Sequence, residues 1–212
     1  MKRAMCVLAL VLATGVSMPA ISHESQSATI DDDALNHLVE EAMPAVYHIS
    51  IRGRVMDTMT GAQKSGVENF GIGTGFGVTK NGLIMTKMHV VSPYFSKIAS
   101  RISAPNTFEY VNGETIEVVI SLITKAGATY TATIVGGSPN DVNDLALLRI
   151  NNASGEFPIL DLSDRPTRYD RVVTIGNPFN ITYTVGEGII STLERTVRGR
   201  RLIQTTAWRA PG

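Results

Sequence analysis

Two residues of this 212-residue chain could do chemistry together: His89, in "TKMHVV", and Asp144, 55 positions later in "NDVNDLALLRI". A hydroxyl nucleophile needs a base to take its proton. An imidazole base in turn needs a buried carboxylate to hold its tautomer and its orientation. Taken singly, neither residue compels that reading. A histidine followed by Val90 and Val91 also fits a packed structural position, and an acid before an apolar run also fits a loop end. Asp141, three residues before Asp144, offers the same carboxylate, and spacing does not choose between them. The remaining histidines, His23, His37 and His48, form no pair at metal-ligand spacing, and no carboxylate cluster completes a site. No metal or cofactor is implied.

The elements that must position such a pair read as short strands. Runs such as "GTGFGV", "GLIMT", "IEVVISLI", "TYTATIVG", "DLALLRI", "RVVTIG", "GIISTLER" and "LIQTT" are separated by turn residues at Asn81-Gly82, Asn112-Gly113, Gly136-Gly137, Ser138-Pro139 and Asn177-Pro178. Many short strands with regular punctuation predict an all-β barrel or sandwich and argue against alternating βα units. One helix is expected before them. Asp31 to Asp33 supply a cap and a negative first turn, Leu35, Leu38, Val39 and Met43 recur at helical spacing, and Pro44 ends the run. "AVYHISI" then alternates as a strand, while Pro93 to Gly113 has weak periodicity and reads as an inserted surface excursion.

Composition narrows the function classes. Hydrophobic residues make up 43% of the chain and charged residues 18%, which suits a folded core. The 19 basic and 19 acidic residues cancel, leaving no electrostatic footprint for nucleic acid. The arginines at 195, 198, 200 and 201 therefore read as a solvated hairpin loop and not as a nucleic-acid patch.

The N-terminus has the three-part pattern of a secretory signal: Lys2 and Arg3, an apolar run from Ala4 to Val16, then small residues at Ala20 and Ser22. Cleavage after Ser22 or after Ala20 fits. The run falls short of the roughly 20 residues that span a bilayer, so no stable membrane span is expected after removal. The lone Cys6 would leave with the signal, so no disulfide would support the mature chain. The expected organisation is a signal at 1–22, a polar spacer at 23–33 and one domain at 34–212, with a periplasmic or secreted location.

Several ordered motifs resemble the HtrA (Deg) group of trypsin-like serine peptidases, in which the parts come in chain order His, Asp, Ser. "GTGFGVTKNGLIMTKMHVV" is similar to the family's Gly-Ser-Gly-Phe to Thr-Asn-His-Val-Val segment, which implies that His89 is the base. "TATIVGGSPNDVNDLALLRI" resembles the segment ending Thr-Asp-Leu-Ala-Leu-Leu-Lys-Ile, which selects Asp144 over Asp141. "VVTIGNPFNITYTVGEGIISTLER" resembles the Ile-Gly-Asn-Pro-Phe and Gly-Ile-Ile-Ser stretches. "LIQTTAWRAPG" is similar to the strand and turn that lead into Gly-Asn-Ser-Gly-Gly. That match places Gly212 at the first glycine of the nucleophile motif, in the oxyanion-hole region, with the serine two residues beyond. On this reading the chain as it stands lacks the nucleophile and is inactive. Lys87 and Met88 stand where the family usually has asparagines, and Trp208, Arg209 and Ala210 replace a small-Ile-Asn run.

The resemblance implies two antiparallel β-barrels with the site between them. The first would be complete from about Val46 to Ile150, and the second, from about Ile159, incomplete. It further implies a serine endopeptidase acting on unfolded or misfolded polypeptides outside the cytoplasm, with no cofactor and no nucleic-acid partner; a homo-oligomer is compatible with the sequence. Two other classes stay open at this level. One is a non-catalytic peptide-binding protein on a peptidase barrel, and the other a structural extracellular β protein.

Overall fold

Strand β2 (Val46–Asp57) shows how the chain is organised. Tyr47, Ile49, Ile51 and Val55 alternate into one buried face, as a half-buried strand requires. Yet Val46 and His48, on the opposite face, are buried as well, at 1% and 7% exposure. One end of this strand is covered on both sides because two sheets meet there. The computed structural model describes residues 5–6, 32–57, 59–91, 99–104, 106–110, 114–138, 144–163, 166–177, 181–197 and 199–207.

The first sheet closes on itself. β2, β3 (Glu68–Thr79), β4 (Leu83–Thr86), β9 (Ala146–Ile150), β8 (Thr129–Gly137) and β7 (Glu114–Ile123) follow one another antiparallel, and β7 returns to pair with β2 from Glu114↔Asp57 to Ile123↔His48. The result is a six-stranded barrel. Its interior is filled by β-branched and leucine side chains, among them Ile49, Ile51, Ile84, Ile120, Leu122 and Leu148, none more than 1% exposed. Burying each such side chain stabilises the fold by about 1.5–3 kcal/mol.

Part of the expected surface excursion is a hairpin. β5 (Ala99–Ala104) and β6 (Thr107–Tyr110) extend the sheet beside the first half of β7, where Thr107↔Glu117 to Glu109↔Thr115 pair. Asn106 turns the hairpin at a positive φ of 59°. Its side chain is fixed to β8, donating from Nδ2 to the Ala132 carbonyl at 2.8 Å and accepting the Ile134 N–H at 2.9 Å. These strands are short and lie at the margin of the sheet, which is why their periodicity is weak in the sequence. The Asn112-Gly113 turn lies outside the described residues.

The second sheet is open and ordered β1-β10-β11-β12. β10 (Arg171–Gly176), β11 (Thr184–Val197) and β12 (Arg200–Thr205) form an antiparallel meander, and the two-residue β1 (Met5–Cys6) runs parallel to β10 at Val172–Val173. Helix α1 (Asp32–Ala42) is followed by a single 3-10 turn at Met43–Ala45 that contains Pro44, and β2 starts immediately afterwards. The apolar stripe of α1 does not enter the barrel interior; it packs in a cluster between Val46, on the outer face of β2, and the second sheet. Leu35, Leu38 and Val39 pack with Ala42, Met43, Val173 and Ile175 of the second sheet's core. The connection from β9 also touches both sides. Phe157 is buried in the barrel core, edge-on to Tyr130 at 5.4 Å, while Leu160 joins the second cluster. This matches the expected all-β fold in having a closed six-stranded barrel, a second sheet and a short N-terminal helix.

Candidate active site

His89 lies on α2 (Met88–Val91), a four-residue helix that directly follows β4. A helix this short has almost no stability of its own; it is held by burial. Met88 and Val91, at 5% and 0% exposure, insert into the end of the barrel core on either side of the histidine. Glycines make room for them. A Cβ at Gly73 would collide with the side chain of Val90, and one at Gly137 with the methyl end of Met88. Of the glycines at 71, 73, 75 and 77, the first two face Val90 and serve the close approach of this turn to β3, whereas Gly75 lies against Ile49 and Ile84 and Gly77 against Pro158.

Asp144 arrives by register. β4 pairs with β9 at Thr86↔Ala146, so the residues after one strand and before the other are neighbours. Asp144 adopts a left-handed φ of 48°, a region that aspartate tolerates better than most residues. Its groups grip α2 at three points. The carbonyl accepts the Met88 N–H at 3.3 Å, Oδ1 accepts the His89 N–H at 3.0 Å, and Oδ2 lies 2.7 Å from His89 Nδ1. The imidazole side chain is 33% exposed and the carboxylate 16% exposed. One carboxylate oxygen thus fixes the backbone of the base and the other fixes its ring. With Nδ1–H held by Oδ2, Nε2 is the nitrogen that can accept a proton from a hydroxyl. The short, partly buried contact is of the charge-assisted kind that strengthens as the ring takes up a proton.

The other sequence candidates fall elsewhere. Asp141, Gly212, His23, Arg198 and the Trp208–Ala210 run lie outside the described residues. His37 sits on α1 with Nδ1 3.6 Å from Glu41 Oε1, both side chains exposed. Ser191 is a strand residue of β11 whose Oγ donates to the Gln204 carbonyl at 3.2 Å. Arg195 donates to the Gln204 side chain at 2.6 Å, and Arg201 lies 3.5 Å from Glu194, both across the β11–β12 hairpin. Among the described residues no three His, Cys, Asp or Glu side chains gather as a metal ion would need, and no helix is long and apolar enough to cross a membrane. α2 has no helical periodicity to show in the sequence, and Asn177 reads there as a turn residue within the Ile-Gly-Asn-Pro-Phe resemblance, with no role of its own. Asn177 is in fact buried, at 5% exposure, against β3.

A model of the trypsin-like peptidase domain matches residues 73–212. The chain is 31% identical over 197 residues to serine protease HTRA2, mitochondrial, from Bos taurus, covering 92% of this chain and 35% of that protein. It is 28% identical over 189 residues to serine endoprotease DegS from Escherichia coli (strain K12), covering 85% and 44%. It is 31% identical over 163 residues to serine protease HTRA4 from Homo sapiens, covering 74% and 27%. The chain spans less than half the length of each of these relatives.

Proposed function

The chain belongs to the trypsin-like peptidase domain family, with relatives of the HtrA type, and on that premise we propose that it carries the base and orienting acid of a serine endopeptidase. The observation that carries the proposal is the contact of 2.7 Å between His89 Nδ1 and Asp144 Oδ2, reinforced by the same carboxylate's hold on the His89 backbone.

In a polypeptide that continues from Gly212 through Asn-Ser-Gly-Gly, the serine Oγ attacks the carbonyl carbon of a peptide bond while His89 Nε2 takes its proton. Asp144 keeps Nδ1 protonated and stabilises the imidazolium. As the C–N bond breaks, Nε2 returns the proton to the leaving amine. Water then repeats the cycle on the acyl-enzyme and releases the acid. Backbone N–H groups around Gly212 and the serine would hold the oxyanion, which accounts for a large part of the rate. The substrate class is unfolded or misfolded polypeptide, and the N-terminal signal pattern supports a site of action outside the cytoplasm.

Labelling by a fluorophosphonate probe tests the mechanism. The continued polypeptide should label and should digest casein, whereas residues 1–212 alone should do neither. In the continued polypeptide His89→Ala should abolish labelling, and Asp144→Asn should slow it on the order of 10⁴-fold by favouring the wrong tautomer. Asp141→Asn should label normally. Undiminished labelling of His89→Ala would instead leave a peptide-binding role on a peptidase barrel as the better reading.

A further inference from the structure

We propose that Asn177 is a positioning residue for the same reaction, setting the first barrel's base against the second sheet through Thr74; the inference rests on the peptidase reading above. Gly73 and Thr74 are consecutive residues of β3 whose two faces meet different partners. On the inner face, Gly73 is where Val90, the residue after the base, packs. On the outer face, Thr74 Oγ1 accepts both the Asn177 backbone N–H at 2.9 Å and its Nδ2–H at 3.0 Å. The same Nδ2 lies 3.5 Å from the Gly73 carbonyl. Asn177 Oδ1 accepts the N–H of Tyr183 at 2.9 Å, which fixes the chain just before β11. Tyr183 carries the tie back to the barrel, donating from its hydroxyl to the Ile123 carbonyl at 2.8 Å.

The bonds continue toward the base. Thr86, 2% exposed and three residues before His89, donates from Oγ1 to the Thr74 carbonyl at 2.7 Å. A hydrogen-bonded line therefore runs from the start of β11 through Asn177, Thr74 and Thr86 to the turn that bears the imidazole. The base sits on one side of the junction, and the chain that leads to the nucleophile motif sits on the other. An asparagine suits this point because it offers a donor to the threonine and an acceptor to the backbone at once. Misplacing a base by about 1 Å costs on the order of 10²-fold in rate, so a tie at the junction controls the chemical step more than substrate binding.

The test uses the polypeptide that includes the nucleophile motif and follows fluorophosphonate acylation as kinact and KI separately. Thr74→Val keeps the shape of the side chain but removes the acceptor oxygen, and should lower kinact by about 10- to 100-fold with KI nearly unchanged. Asn177→Ala should do the same, and supplies an independent reading should one of the two variants fold poorly. Thr74→Ser retains the oxygen and should restore kinact to within about threefold of the parent. A merely structural role would lower the melting temperature without separating kinact from KI, and that result would overturn the proposal. So would Thr74→Ser remaining as slow as Thr74→Val. Labelling that survives His89→Ala would instead sink the peptidase reading itself, so the two failures are distinguishable.

Discussion

The barrel and the second sheet are built to different degrees of self-sufficiency. Every barrel strand has a hydrogen-bonded neighbour on each side, and the interior is a continuous cluster from Tyr47 to Phe157. The second sheet is open. Among the described residues β10 has only the two-residue β1 on its outer side, and the buried core there is small and includes Ala42 and Met43, contributed from before the barrel. Leu193 and Val197 of β11 remain exposed. The base and its orienting acid sit on the closed unit, where the local structure is held from all sides. Placement across the junction rests on a small apolar cluster in which Val46 meets Val173 and Ile175, and on a few polar contacts made by Asn177 and Tyr183. Geometry internal to the barrel should therefore be robust, and geometry between the sheets should be the part that mutation or conditions can move.

A core deletion on each side sharpens this comparison, and the barrel deletion should be the larger. Leu148→Ala removes a fully buried side chain and should cost about 2–5 kcal/mol, lowering the melting temperature of the whole molecule. Leu38→Ala acts on a half-buried residue that covers the second sheet and should cost about 1 kcal/mol. Hydrogen exchange should show the Leu38→Ala loss confined to β10 and β11, with barrel amides unaffected. Equal loss of protection in both sheets would mean that they open as one unit and would remove the distinction.

The difference between the two regions also marks what could be read from sequence. Barrel strands such as "IEVVISLI" and "DLALLRI" were legible because burial on one face imposes a period of two. The N-terminal helix was legible from its 3.6-residue stripe, but not which surface the stripe would cover. α2 was invisible, since its helical turn is imposed by Met88 and Val91 entering the core. The residues His89 and Asp144 were legible as types. Their pairing was not, because it comes from the register Thr86↔Ala146, and only family resemblance preferred Asp144 to Asp141. Asn177 falls in the Ile-Gly-Asn-Pro-Phe resemblance, but neither its type nor its spacing separates a buried tie from an ordinary Asn-Pro turn.

The smallest expected effect concerns pH at the junction. His48 lies on the outer face of β2, buried where the sheets meet, and its Nδ1 has no hydrogen-bond partner among the described residues. Burial holds its pKa below the ordinary histidine value. Below about 6.5 the unfolded chain takes up a proton that the folded chain resists, so stability must fall as pH drops and level off only below the folded-state pKa. The melting temperature of the parent should therefore decline between pH 7 and pH 5 more steeply than that of His48→Gln. Parallel curves would show that this buried face does not sense protons.

The central claim is that the closed barrel by itself holds a base already set in its working tautomer, and the 212-residue chain can report on that directly. ¹⁵N NMR of the protein labelled at histidine, recorded at alkaline pH, distinguishes the two ring nitrogens of His89. The structure calls for a protonated Nδ1, its proton shifted downfield by the Asp144 carboxylate, and an unprotonated Nε2; Asp144→Ala should abolish the downfield proton. A ring protonated at Nε2, or one that exchanges freely between tautomers in the folded chain, would contradict the account.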